Sequence, residues 1–84
     1  MGLPMKILFY GRLAESIAPA IDFDSDEECS VAQLRERLAR DHPAAAATLA
    51  SKRSRACVGE RLVDDDFVLR SGDAIEFLPP VSGG

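Results

Sequence analysis

The sequence predicts an α+β fold: a mixed sheet with one main helix packed on one face. Three observations carry this. Strand-like apolar runs stand near both ends, at residues 5–10 (MKILFY) and 74–78 (AIEFL). Between them, from Ser30 onward, lies a segment with a helix-start signal and helical apolar spacing. The other apolar runs are short and bounded by Gly, Pro or Asp, the chemistry of turns. Strands, one crossing helix and more strands make a sheet with a helix on one face.

Residues 5–10 are apolar, aromatic and β-branched, and stop at Gly11, so they form the first strand. In 12–18, Leu13 and Ile17 stand four apart, the spacing of a short helical turn. Residues 19–24 alternate Ile21 and Phe23 with Asp22 and Asp24, the period of a half-buried strand. A charged turn follows at 25–28. Ser30 and Gln33 have capping-box spacing, and Cys29 and Leu34 have staple spacing. Val31, Leu34 and Leu38 form an apolar stripe, with Arg35, Arg37 and Arg40 read as a solvated face. Pro43 ends this helix near His42 and opens a second, alanine-rich one over 44–50. Residues 55–58 and 61–63 read as strands about a Gly59-Glu60 turn. Asp64-Asp65-Asp66 is a charged turn, 67–69 a short apolar segment, and Ser71-Gly72-Asp73 a tight turn before the last strand.

Eighty-four residues make one domain, set at 5–84 with a tail over 79–84. Residues 1–4 read as a leader or an alternative start before Met5. A chain of this length buries roughly 60–65% of its unfolded surface, enough for one core. The 46% apolar fraction is that of a globular protein. A net charge of −4 argues against nucleic acid, which needs a basic face, and against an anionic membrane surface. Two cysteines, Cys29 and Cys57, are too few for a disulfide scaffold, and they and His42 lack zinc-site spacing. Reduced thiols and no secretory signal give a cytoplasmic expectation.

The end of the sequence is Pro79-Pro80-Val81-Ser82-Gly83-Gly84. Two prolines hold the exit extended. Gly83 and Gly84 leave the tip bare, so another backbone can come close. Six extended residues reach at most ~20 Å. A stiff stem with a bare tip can be threaded into a narrow site on another protein, and the tip carboxylate of Gly84 is read as the reactive group. Pro80 and Val81 stiffen the stem and meet the partner's rim. Ser82 either hydrogen-bonds the channel or is merely small.

Alternation also predicts an exposed apolar face. Ile7 and Phe9 share one side of the first strand; Lys6, Leu8 and Tyr10 share the other. Ile75 and Phe77 face one way, and Ala74, Glu76 and Leu78 the other. Lys6 and Glu76 mark the solvent side, so Leu8, Tyr10 and Leu78 are expected to be exposed, joined by Leu62. A contiguous exposed apolar patch marks a partner site.

The element order, the Ser-Gly-Asp turn and the ending Phe77-Leu78-Pro79-Pro80-Val81-Ser82-Gly83-Gly84 resemble the small subunit of molybdopterin synthase. The likeness spans residues 5–84. It departs from the family at Val58-Gly59-Glu60, where a more polar, Asn-containing turn is expected. The resemblance implies a ubiquitin-like β-grasp fold and a sulfur carrier without cofactor or metal of its own. It implies an adenylating partner of the ubiquitin-activating type, using ATP-Mg, that charges Gly84. A sulfurtransferase then converts the tip to a thiocarboxylate. The large synthase subunit receives the tail, and sulfur passes to cyclic pyranopterin monophosphate. It also implicates Tyr10, Leu62 and Leu78 in partner binding. The chain has no phosphate loop, so activation must come from a partner.

Three other readings stand beside this one. They are a carrier for thiamine or another thio-product, a ubiquitin-like modifier conjugated through Gly84, and a plain binding module with an inert tail. His42 is read as a helix-end residue, Cys29 as packing, Cys57 as a strand residue and the acidic run as a solvated turn.

Overall fold

The computed structural model describes residues 4–24, 28–51 and 54–78. Among the described residues seven strands and three α-helices follow one another as β1 Met5–Phe9, α1 Arg12–Ser16, β2 Ala20–Phe23, β3 Cys29–Ser30, α2 Val31–Asp41, α3 Ala46–Ala50, β4 Arg55–Val58, β5 Arg61–Val63, β6 Val68–Leu69 and β7 Ala74–Leu78. A 3-10 turn, Pro43–Ala45, precedes α3. Pro43 thus opens a tight turn, and the α-helix starts at Ala46, two residues later than the expected 44–50.

Five strands form one mixed sheet in the order β2-β1-β7-β4-β5. β1 and β7 run parallel at its centre; the other pairs are antiparallel. β7 is tied down at its start as well. The Asp73 carbonyl accepts from the Lys6 N–H at 3.0 Å, and the Asp73 carboxylate accepts from the Arg70 N–H at 2.8 Å. The two-stranded sheet β3–β6 was not foreseen: Cys29 pairs with Leu69 and Ser30 with Val68. Two-residue strands carry too little periodicity to be seen in sequence. Within the expected segment 67–69 only Leu69 is buried, while Phe67 and Val68 are exposed.

The capping box is formed. The Gln33 N–H donates to Ser30 Oγ at 3.1 Å, and the Ser30 N–H donates to Gln33 Oε1 at 2.9 Å. Ser30→Ala leaves one donor of the first turn unpaired. It is expected to lower stability by about 1 kcal/mol, read as a lower urea midpoint at unchanged slope.

α2 lays Val31, Leu34 and Leu38 into one cluster with Ile7, Phe9, Ile75 and Phe77, all but solvent-free. Phe9 and Phe77 are register partners whose rings stack 6.0 Å apart. Cys29 is buried here too, and burial pushes its thiol up despite the nearby Arg37 charge.

Arg35 corrects the solvated-face reading. Its side chain is only 11% exposed. The guanidinium lies 5.2 Å from the centroid of the Phe77 ring. Nη1 donates to the Leu49 carbonyl at 2.6 Å, Nη2 donates to the Ser54 carbonyl, and Nε donates to Asp65 Oδ1 at 3.0 Å. One side chain thereby ties α2 to α3, to the start of β4 and to the acidic turn. Arg37 also covers an aromatic ring, that of Phe23, at 5.9 Å. Arg40 remains exposed.

The β4–β5 hairpin turns at Gly59 (φ 58°) and Glu60 (φ 67°). Two successive left-handed residues match the twist of the flanking strands. A Cβ at Gly59 would meet nothing within 4 Å, so glycine serves conformation there and not space. Glu60 holds the same region with a side chain, where asparagine is the better-suited residue.

Candidate functional site

The sheet has a covered face and an open one, and alternation in β7 assigns its residues to each. Ile75 and Phe77 point into the core, while Ala74, Glu76 and Leu78 point away. Because β1 runs parallel to β7, its C-terminal end lies at the same end of the sheet as Leu78. On the other side Arg55, the first residue of β4, is the register partner of Leu78. Leu78, the last described residue, therefore ends the middle strand at the end of the sheet that also holds Tyr10 and Arg55. Gly83 and Gly84, with Pro80, Val81 and Ser82, lie outside the described residues.

Of the other expected site residues, Tyr10 is 42% and Leu62 56% exposed. Leu78 and Leu8, both expected to be exposed, are half-buried. They sit on interior strands, where neighbours on both sides cover the flanks of a side chain. Register links this face into rows. Leu8 pairs with Glu76, Glu76 with Cys57, and Cys57 with Leu62.

A polar pair was missed. The Tyr10 hydroxyl donates to Glu76 Oε2 at 2.8 Å. That bond first, then lost solvation and repulsion from Glu76 and Cys57, holds the Tyr10 hydroxyl above the usual tyrosine range. Strand alternation had already placed both residues on one face. Their pairing needed the parallel β1–β7 register, which no local pattern encodes.

The other candidates have structural places. The His42 N–H donates to the Leu38 carbonyl at 2.8 Å, and the His42 carbonyl accepts from the Ala45 N–H at 2.9 Å. Asp65 receives Arg35, and its carbonyl accepts from the Ala32 N–H at 3.0 Å. The acidic run is a turn pinned to α2. Among the described residues no group of three or more His, Cys, Asp or Glu side chains is set to hold a metal ion, and no helix is long and apolar enough to cross a membrane. A shallow groove of about 300 Å³ beside Leu62 is lined by Val58, Arg61, Val63, Asp64 and Phe67, with no converging catalytic groups.

The ThiS family model matches residues 7–84. This chain belongs to the ThiS family. It is 30% identical over 80 residues to the molybdopterin synthase sulfur carrier subunit of Escherichia coli K12, covering 95% of this chain and 99% of that protein. The match places it among the ubiquitin-like sulfur carriers related to the small subunit of molybdopterin synthase. The solved structures agree on the fold. The small archaeal modifier protein 1 of Haloferax volcanii superposes with a TM-score of 0.82 at 20% identity, over 95% of this chain and all (100%) of that one. The complex of subunits 1 and 2 of molybdopterin-converting factor from Helicobacter pylori 26695 contains a match with a TM-score of 0.66 at 20% identity, over 98% of this chain and 100% of that one. Both are β-grasp neighbours, and at such identity they speak for the fold alone. The expected β-grasp architecture is thus the one found.

Proposed function

We propose that this chain is the sulfur-donating subunit of a molybdopterin synthase, inactive alone and charged at Gly84. The observation that carries the reading is the match to the E. coli sulfur carrier over nearly its whole length, with the family match reaching residue 84. The reading is supported by the central strand β7, whose last residue, Leu78, lies on an open and partly apolar face.

A carboxylate is a poor electrophile. An adenylating partner joins it to AMP from ATP-Mg and releases pyrophosphate. Sulfide delivered by a sulfurtransferase system attacks the acyl carbon, AMP departs with the C–O bonding pair, and one C–S bond replaces one C–O bond. The thiocarboxylate sulfur is soft and nucleophilic. In the large synthase subunit it is given to cyclic pyranopterin monophosphate, towards the dithiolene. Gly83 provides clearance in the channel. Pro80, Val81 and Ser82 line the stem, and Tyr10, Leu62 and Leu78 belong to the docking face. The setting is the cytoplasm.

Intact mass spectrometry tests this. The protein is incubated with the adenylating enzyme of its own organism, ATP-Mg and sulfide. The expected gain is that of one oxygen replaced by one sulfur. An unchanged mass, with the E. coli carrier converted by its own enzyme in parallel, overturns the reading. One rival is conjugation to lysines, with which the fold shared with a small archaeal modifier protein is compatible. A ladder of larger adducts in cell extract, lost with Gly84, marks that fate; a thiazole-forming partner that consumes the thiocarboxylate marks a thiamine carrier.

A further inference from the structure

The open face carries a charge at its centre. Along the row Leu8–Glu76–Cys57–Leu62, Glu76 is the only ionisable carboxylate, and it is half-buried. Leu78 lies two residues on along the same strand and face. Tyr10 occupies one carboxylate oxygen, Oε2, at 2.8 Å. Among the described residues nothing hydrogen-bonds Oε1, and no lysine or arginine pairs with Glu76. Lys6 and Arg55 share the face, but their register partners are Ala74 and Leu78, not Glu76.

A partner laid over this row must deal with that charge. Covering an ionised carboxylate with apolar surface costs several kcal/mol, and a facing cation with a hydrogen bond offsets it. The tail follows Leu78 in sequence, and Leu78 stands on this face two residues beyond Glu76, so a protein that takes the tail comes within reach of Glu76. We propose that Glu76 is a specificity determinant of the docking face, and that its occupant is a protein surface presenting a lysine or arginine within an apolar surround. The Tyr10 hydroxyl holds the carboxylate in place for that cation. The neighbouring leucines accept any apolar partner of the right shape, and the charge selects among them. The inference rests on the proposed function, which makes the occupant the large synthase subunit.

The test is isothermal titration of the large subunit of the same organism with the full chain, from low to high sodium chloride. Glu76→Gln keeps an acceptor for Tyr10 and removes only the charge. It is expected to weaken binding about 10- to 100-fold and to flatten the salt dependence. Glu76→Lys is expected to weaken it more than 100-fold, on the order of the loss for a buried like-charge contact. Glu36→Gln, on the exposed side of α2, removes an equal charge elsewhere and is expected to leave affinity within about twofold of the parent. Circular dichroism of each variant checks the fold. Equal affinity and equal salt slope for the parent and Glu76→Gln overturn the inference while leaving the proposed function intact. Failure of the unmodified protein to bind the large subunit overturns the proposed function, and the inference with it.

Discussion

Deleting Gly84 is expected to abolish sulfur transfer while leaving the domain folded. The proposed chemistry has one reacting carbon, the terminal carboxyl of Gly84; without that residue the terminal carboxyl is that of Gly83, drawn back by ~3.5 Å from where the partner's reacting groups meet it. His42 serves as a helix cap, Cys29 is buried, and Cys57 is a strand residue whose thiol offers no carboxyl carbon to be activated. Product formed with the adenylating enzyme, ATP-Mg, sulfide and the large subunit is expected to fall at least ~1,000-fold, a loss of about 4 kcal/mol in transition-state terms. The urea midpoint is expected to hold, because the described core cluster is built from residues between Met5 and Phe77. Gly83→Val separates reactivity from fit. It keeps the terminal carboxylate but adds a Cβ where a partner backbone must come close. Thiocarboxylate loading and transfer measured separately show which partner imposes the narrower channel. Retained transfer by the shortened chain contradicts the assignment.

Arg35→Met is expected to be the most destabilising single change outside the apolar core. Methionine keeps much of the aliphatic stem but leaves the Leu49 and Ser54 carbonyls without their donor and loses the contact with Phe77. An unpaired buried acceptor costs about 1–3 kcal/mol, so the pair and the lost ring contact sum to about 3–5 kcal/mol. The ion pair with Asp65 adds little, since that carboxylate is 54% exposed. For a domain of this size a midpoint drop of about 15–25 °C is expected in thermal unfolding. Arg40→Met on the exposed side of the same helix is the control, expected within ~0.5 kcal/mol of the parent. Equal stability of the two variants contradicts the account of Arg35.

What could be read from sequence follows from the range of each interaction. The Ser30–Gln33 box, the Val31–Leu34–Leu38 stripe and the alternation in β7 are local, and each stands where spacing put it. The open-face position of Tyr10 was equally legible, since two-residue periodicity in a strand assigns sides. Arg35 was misread although the pattern held it: Val31, Leu34, Arg35 and Leu38 are the i, i+3, i+4, i+7 positions of one helical face. A charged residue can hold such a position because a long side chain can lie flat on a ring with its head bonded to carbonyls. The β3–β6 pair and the Tyr10–Glu76 bond join residues roughly 40 to 66 positions apart, and nothing within a short window announces them. Tail residues 79–84 were the loudest signal in the sequence, yet their geometry lies outside the described residues.

The parallel pairing of β1 with β7 has a mechanical consequence. Tension applied at residue 79, directed away from the sheet, runs along β7 and is opposed by β1 on one side and β4 on the other. Hydrogen bonds in both ladders lie across the direction of pull, so they share the load together instead of parting one by one. A motor or a closing cleft can therefore tug on the stem without peeling away the strand that roots it.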